Sequence, residues 1–224
     1  MKKLIYPLII LGAIGILYVL LNSPSFFRTP KTSDIPLGMN SSILQITAVS
    51  DELTRYGSAV IIDSDDTYYY ALTNNHIVKD AFDIHVMDLH DDSHDAQLIN
   101  AMATHDLALI SFEKLTELYE MEIAVSYQPG DQIHAMGYPG GLFTTTGGTI
   151  TRTMSIEGEV LIPVIHHSAM IHHGSSGGAL IDSHGYLIGI NFAMKDRDGL
   201  FIQSYAIPSS KILEFLEVIG HGLS

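Results

Sequence analysis

Cysteine is absent from the 224-residue chain. Neither disulfides nor a thiolate metal site can therefore hold the fold together, which argues against a small secreted domain stapled by disulfides. The absence fits an exported bacterial protein. Basic residues are also scarce, 11 Lys and Arg against 25 Asp and Glu, for a net charge of −14. Four of the 11 (Lys2, Lys3, Arg28 and Lys31) precede residue 39, as does one acid, Asp34, so the rest of the chain sets seven basic residues against 24 acidic ones. A body this acidic repels phosphate backbones, so no nucleic-acid partner is expected. No internal repeat or low-complexity tract occurs, and the length suits one large domain or two small ones.

Charge is missing altogether from residues 4–21, LIYPLIILGAIGILYVLL. Eighteen apolar residues in a helix span about 27 Å, enough for a bilayer core. The positive residues at 1–3 favour a cytoplasmic tail and place everything beyond the helix outside the membrane. A cleavable signal peptide is the alternative, leaving a secreted protein, but no small-x-small site follows in LLNSPSFF. Residues 22–40, rich in Pro, Ser and Thr, read as a tether.

From residue 41 short apolar runs alternate with turn residues: SSILQITAV, GSAVIID, TYYYALTN, FDIHVMDL, then QIHAMGY, GGTITRTM, AMIHH, ALIDS, YLIGINFAM and FIQSYAI. This spacing predicts an all-β sandwich or barrel. One or two helical turns are expected at 113–121, EKLTELYEM. A terminal helix is expected in IPSSKILEFLEVIG, capped by Ser209 or Ser210 and stopped by Gly220. The acidic run DLHDDSHDA at 88–96 reads as a solvated loop.

The stretch of most chemical interest is HHGSSGGALIDSHGYLIGIN, residues 172–191. Glycines on both sides of Ser176 permit a tight turn that presents a hydroxyl and aims backbone N–H groups at one point. A serine nucleophile needs a base and a group to orient that base. His76 ends the run YYYALTNNH and Asp106 opens THDLALISF. Spacing alone does not bring the three together.

Taken jointly, TNNHIV around His76, HDLALI around Asp106 and HHGSSGGALI around Ser176 resemble the three blocks of trypsin-like serine proteases, most closely the HtrA/Deg branch. GSAVIID, HAMGYPGG, TTTGGTITRT, GYLIGINFAM and SYAIPSS extend the similarity over residues 57–220. The resemblance implies two antiparallel β-barrels, 41–124 and 125–224; with the apolar segment at 4–21 and the terminal helix, the expected architecture is an all-β trypsin-like double barrel with a C-terminal helix after one transmembrane helix. It implies Ser176 as nucleophile, His76 as base and Asp106 as its orienter, with the N–H groups of Gly174, Ser175 and Ser176 as the oxyanion hole. Asn191, Phe192 and Ala193 would form the edge that pairs with substrate, and Met170 and Ile171 would line the specificity pocket. With no carboxylate there, cleavage after small or medium apolar residues is expected.

Two departures stand out. The branch usually has Thr-Asp where His167-Ser168 stands here, and the 48 residues after Ser176 leave no room for a PDZ domain. The expected function is a membrane-anchored, extracytoplasmic serine endopeptidase acting on exported or misfolded polypeptides. It would need no cofactor and no metal, and homo-oligomerisation stays open. The alternative is a non-catalytic or partner-activated binding module.

Overall fold

The computed structural model describes residues 38–155, 162–197 and 200–223. The expected membrane helix and most of the tether lie outside these residues; among the described ones, no helix is long and apolar enough to cross a membrane.

Among the described residues, twelve strands form two closed antiparallel barrels. The first comprises β1 (Ile43–Val49), β2 (Thr54–Ser64), β3 (Tyr68–Thr73), β4 (Asp83–Met87), β5 (Ser93–Met102) and β6 (Leu107–Glu113), in the order β1-β2-β3-β6-β5-β4. The second comprises β7 (Gln132–Gly137), β8 (Thr144–Ser155), β9 (Pro163–His167), β10 (Ala179–Asp182), β11 (Leu187–Arg197) and β12 (Leu200–Pro208), in the order β10-β11-β12-β9-β8-β7. Period-2 alternation explains the cores. In β1, Leu44, Ile46 and Ala48 enter the first barrel while Gln45, Thr47 and Val49 face outward. Ile133, Ala135, Ile150, Ile165, Leu180 and Ile188 fill the second.

A third cluster joins the two bodies. Val60, Ile62, Leu72, Leu107 and Leu109 of the first barrel pack with Met136, Val164, Ile181, Leu187 and Ile207 of the second. This is why β2 and β6 are apolar on both faces: one faces the barrel interior and the other the neighbouring barrel. Helix α2 (Ser209–Ile219) follows a short helix α1 (Asn75–Val78) in chain order and buries Ile212, Phe215 and Leu216 in the same cluster. Gly220 ends α2 with φ +71°, but Pro208 occupies the N-cap, and neither Ser209 nor Ser210 does.

Three local expectations need correction. Residues 114–121 are not helical. They cross between the barrels extended, because the Tyr69 hydroxyl takes the Leu118 N–H and donates to the Thr116 carbonyl, and Met121 N–H bonds to the Ile61 carbonyl. The run AMIHH is loop, and the strand lies earlier, at β9. The acidic run 88–96 enters β5 at Ser93 and is partly buried: Asp88 accepts from the His90 and Asp92 amides and lies 3.2 Å from the buried His94 ring.

His167 has no accessible surface, between Ile150 of β8 and Ser204 of β12. Burial holds its pKa down to about 4, against smaller opposing effects of Asn191 and the Ala169 backbone. An unfolded histidine titrates near 6.5, so between these values the unfolded chain binds the extra proton. Stability is therefore full above about pH 6.5 and falls as pH drops toward 4, by about 3 kcal/mol in all. Urea unfolding at pH 7.5 and pH 5 should show about 2 kcal/mol of that loss, and His167→Thr should flatten it.

Candidate active site

His76 sits in α1, which starts immediately after β3. Its ring Nδ1 is 2.7 Å from Asp106 Oδ2, and its main-chain N–H donates to Asp106 Oδ1 at 2.8 Å. Both carboxylate oxygens thus fix one residue. Since an ionised carboxylate only accepts, Nδ1 carries the proton and Nε2 presents a lone pair. Asp106 is 6% exposed and has φ +52°, an uncommon conformation for a residue with a side chain. Its carbonyl accepts from Asn74 Nδ2 at 3.0 Å and Asn75 N–H at 3.1 Å, which holds the turn to α1. The preceding residue, His105, reaches α2: its Nε2 lies 3.3 Å from Glu214 and its Nδ1 is 3.1 Å from the Thr104 hydroxyl. Lys211 beside Glu214 holds that carboxyl below its ordinary range.

The glycine loop lies against the same region. Gly57 of β2 is flanked by both: a Cβ there would be 3.0 Å from the Ser176 carbonyl oxygen and 3.1 Å from the Ile77 side chain. Ser58 ties the loop to the first barrel. Its N–H donates to the Ser176 carbonyl at 2.7 Å and its hydroxyl to the Gly174 carbonyl at 2.8 Å, while accepting from Tyr138 N–H at 2.9 Å. Gly177 and Gly178 bond reciprocally to Asn191, through Gly177 N–H to the Asn191 carbonyl and Asn191 N–H to the Gly178 carbonyl.

Within the loop, the N–H groups of Gly174 and Ser176 meet no acceptor among the described residues, whereas Ser175 N–H donates to the His172 carbonyl at 2.9 Å. Of the three N–H groups expected to form an oxyanion hole, only those of Gly174 and Ser176 are left without an acceptor among the described residues. Ser175 orders the loop instead, because its hydroxyl also accepts from His172 N–H at 3.2 Å. Where the branch usually has Asp, Ser168 accepts from Thr149 N–H at 2.9 Å and fastens the loop's entry to β8. The Ser176 hydroxyl itself donates to the Phe192 carbonyl at 3.2 Å, and not to His76.

The remaining expected residues separate. Asn191 is fully buried, its carboxamide donating to the Ala179 carbonyl and its main chain bonded to Gly177 and Gly178. β10 pairs with β11 only as far as Ile190; beyond Asn191, Ala193 pairs with Tyr205 of β12, and Phe192 falls at the register shift between Asn191 and Ala193. Met170 is 43% exposed, while Ile171 packs into the second barrel's core. Ser58 and Asn74 were not singled out from the sequence. Their signal was there, as polar residues in otherwise apolar runs, GSAVIID and YYYALTN; both are fully buried, the Ser58 hydroxyl bonded to Gly174 and the Asn74 Nδ2 to Asp106.

A sequence model of the trypsin-like peptidase domain matches residues 57–190. The periplasmic serine endoprotease DegP of Escherichia coli K12 is 36% identical over 162 residues, covering 70% of this chain and 34% of that protein. A "probable periplasmic serine endoprotease DegP-like" of Buchnera aphidicola subsp. Baizongia pistaciae is 34% identical over 198 residues, covering 80% and 42%. The chain thus spans well under half the length of these curated relatives. Among solved structures, the HtrA-type protease AlgW with tripeptide superposes with a TM-score of 0.76 at 31% identity, covering 87% of this chain and 65% of that one. The double barrel, the His76–Asp106 pair beside a glycine-flanked serine, and these similarities lead to one assignment: the chain belongs to the trypsin-like peptidase family, with relatives among the DegP and HtrA serine endoproteases.

Proposed function

We propose that the chain is a serine endopeptidase acting outside the cytoplasm, anchored by residues 4–21, that cleaves exported or misfolded polypeptides. The observation that carries this reading is the double hold of Asp106 on His76, which leaves Nε2 basic next to the Ser176 loop. The periplasmic relatives support the location.

In the reaction, the Ser176 hydroxyl turns from the Phe192 carbonyl to His76 Nε2. His76 takes its proton as Oγ bonds to the substrate carbonyl carbon, and the carbonyl oxygen becomes an oxyanion on the Gly174 and Ser176 amides. Collapse expels the amine, which receives the proton from Nε2 and leaves an acyl-enzyme. Water then repeats the sequence and frees Ser176. Asp106 stays ionised and stabilises the imidazolium. The open edge from Phe192 onward suits addition of an extended substrate strand. No carboxylate stands at Met170 or Ile171, so small or medium apolar residues are accepted before the scissile bond.

A second reading, a partner-activated or non-catalytic module, draws on the Ser176 bond to Phe192, which must break before chemistry. Digestion of casein by the full chain decides between them. The endopeptidase reading expects fragments ending in apolar residues and loss of cleavage in Ser176→Ala. Fragments ending in Arg or Lys would remove the specificity assignment, and equal cleavage by Ser176→Ala would remove Ser176 as nucleophile.

A further inference from the structure

Pairing between β5 and β6 stops at Ala96 and Phe112. Beyond that point β5 continues beside β4, as far as Ser93 opposite Met87, and β6 continues beside β3, to Glu113 opposite Tyr68. A cavity of about 410 Å³ opens in this fork. His94 and Phe112 are its buried floor, with ring centres 5.3 Å apart, and Asp95 and Glu113 stand exposed at its rim. The fork is remote from the glycine loop and the cleft. β3 runs from Tyr68 here to Thr73 just before α1, and β6 runs from Leu107, next to Asp106, to Glu113 here. About 17 Å of strand therefore separates the cavity from the His76–Asp106 pair.

The floor carries an unsatisfied polar atom. The His94 side chain is only 5% exposed, and its Nε2 lies 3.2 Å from Asp88 Oδ2. Asp88 Oδ1 accepts from the His90 and Asp92 amides, so this carboxylate acts as acceptor throughout and Nε2 carries the ring proton. Nδ1 is then an acceptor, buried and without a hydrogen-bond partner among the described residues. Such an atom is unfavourable until a donor reaches it. The walls select the donor. Asp95 and Glu113 are both acidic, and among the described residues no Lys or Arg lines the space. Lys114, beside Glu113, is engaged elsewhere: its ammonium donates to the Ser64 hydroxyl at 2.8 Å and lies 5.0 Å from the Tyr69 ring centre. The His85 ring is 2.9 Å from Asp95 but also 3.0 Å from Asp83, so carboxylates outnumber it. Tyr68, opposite Glu113, is 40% exposed and offers an aromatic face, and Leu115 adds apolar surface. A donor that is cationic, planar and able to stack on an aromatic ring is a guanidinium.

We propose that this fork binds an arginine side chain of a polypeptide. The guanidinium sits between Asp95 and Glu113 and donates to His94 Nδ1, and its aliphatic stem lies along Tyr68 and Leu115. The site is independent of the hydrolase reading, and a polypeptide held there leaves the cleft at Ser176 free.

The capped tripeptide acetyl-Gly-Arg-Gly-amide and its citrulline counterpart, which has nearly the same shape and no charge, test this. Full-chain Ser176→Ala is used so that no peptide is cut. The backbone amide resonances of His94, Asp95 and Glu113 and the Nδ1 resonance of the His94 ring are followed during titration. The arginine peptide should move all four to saturation and bind about tenfold more tightly than the citrulline peptide. Asp95→Asn combined with Glu113→Gln, two exposed changes that leave the buried floor in place, should weaken the arginine peptide by about tenfold. Tyr68→Leu, which keeps apolar area and removes the aromatic face, should weaken it by about threefold. Equal binding of the two peptides, or a double variant that binds as tightly as its parent, overturns the proposal. So does a His94 Nδ1 resonance that does not move. Shifts spread over other acidic residues, without saturation at these three, would mean attraction to the net charge of −14 alone and would equally overturn it.

Discussion

Asp106→Asn is expected to lower kcat on a peptide substrate by about 10⁴-fold with KM nearly unchanged. The carboxylate accepts two N–H groups of one residue, the His76 amide at 2.8 Å and the ring Nδ1 at 2.7 Å. A carboxamide has one oxygen and one NH₂ group, so it can accept from only one of them. If its oxygen keeps the main-chain N–H, its NH₂ faces Nδ1 and forces the ring proton onto Nε2. That nitrogen can then no longer take the proton from Ser176. The position of the residue should survive, because the Asp106 carbonyl remains bonded to Asn74 Nδ2 and Asn75 N–H. Circular dichroism should therefore match the parent protein. A loss of tenfold or less, in a folded variant, would mean that Asp106 does not set the tautomer of His76.

Gly177→Ala should be the most damaging single methyl in the loop. Gly177 has φ +86°, and an added Cβ would lie 2.0 Å from the Ser58 carbonyl oxygen and 2.5 Å from the Thr73 hydroxyl. Neither neighbour can yield cheaply. Ser58 is held by the Ser176 carbonyl on its N–H and by the Thr73 hydroxyl on its carbonyl, so moving it separates the loop from β2. Backbone strain and overlap together are expected to cost more than about 4 kcal/mol, among the largest effects of a point substitution. Gly222→Ala, where nothing lies within 4 Å of the new Cβ, serves as the near-neutral comparison. Urea unfolding of the two variants checks this, and a Gly177→Ala protein as stable as Gly222→Ala would mean the loop is packed differently.

Much of this arrangement was legible in the residues because it rests on local pattern. Alternation in β1 and the apolar runs of β2, β3 and β6 identify strands without knowledge of their partners. The three blocks around His76, Asp106 and Ser176 are short and distinctive. What escaped depends on tertiary context. β5 is exposed over most of its length, the neighbouring Leu98 and Ile99 included, so it lacks the buried alternation that marks β1. Residues 114–121 have a helical composition, yet the Tyr69 hydroxyl and the Ile61 carbonyl, distant in sequence, hold them extended.

The roles of individual residues in the loop were hidden for the same reason. Ser175 looked like an oxyanion donor by position, but its N–H closes a turn on His172. Asn191 looked like an edge residue, yet its main chain is taken by the two glycines after Ser176. Ser58 binds the glycine loop at Gly174 and Ser176 and the end of β7 at Tyr138 from a strand in the first barrel, a relation that no local window contains.

The most direct measurement is mass-spectrometric mapping of a fluorophosphonate adduct on the purified full chain, beside Ser176→Ala. Reaction requires an activated serine and a hole for the developing oxyanion, and so reads His76, Asp106 and the Gly174 and Ser176 amides together. A single adduct on Ser176, absent from Ser176→Ala, is the expected result. A folded protein that remains unmodified, or one modified on another residue, would contradict Ser176 as the nucleophile of an assembled site.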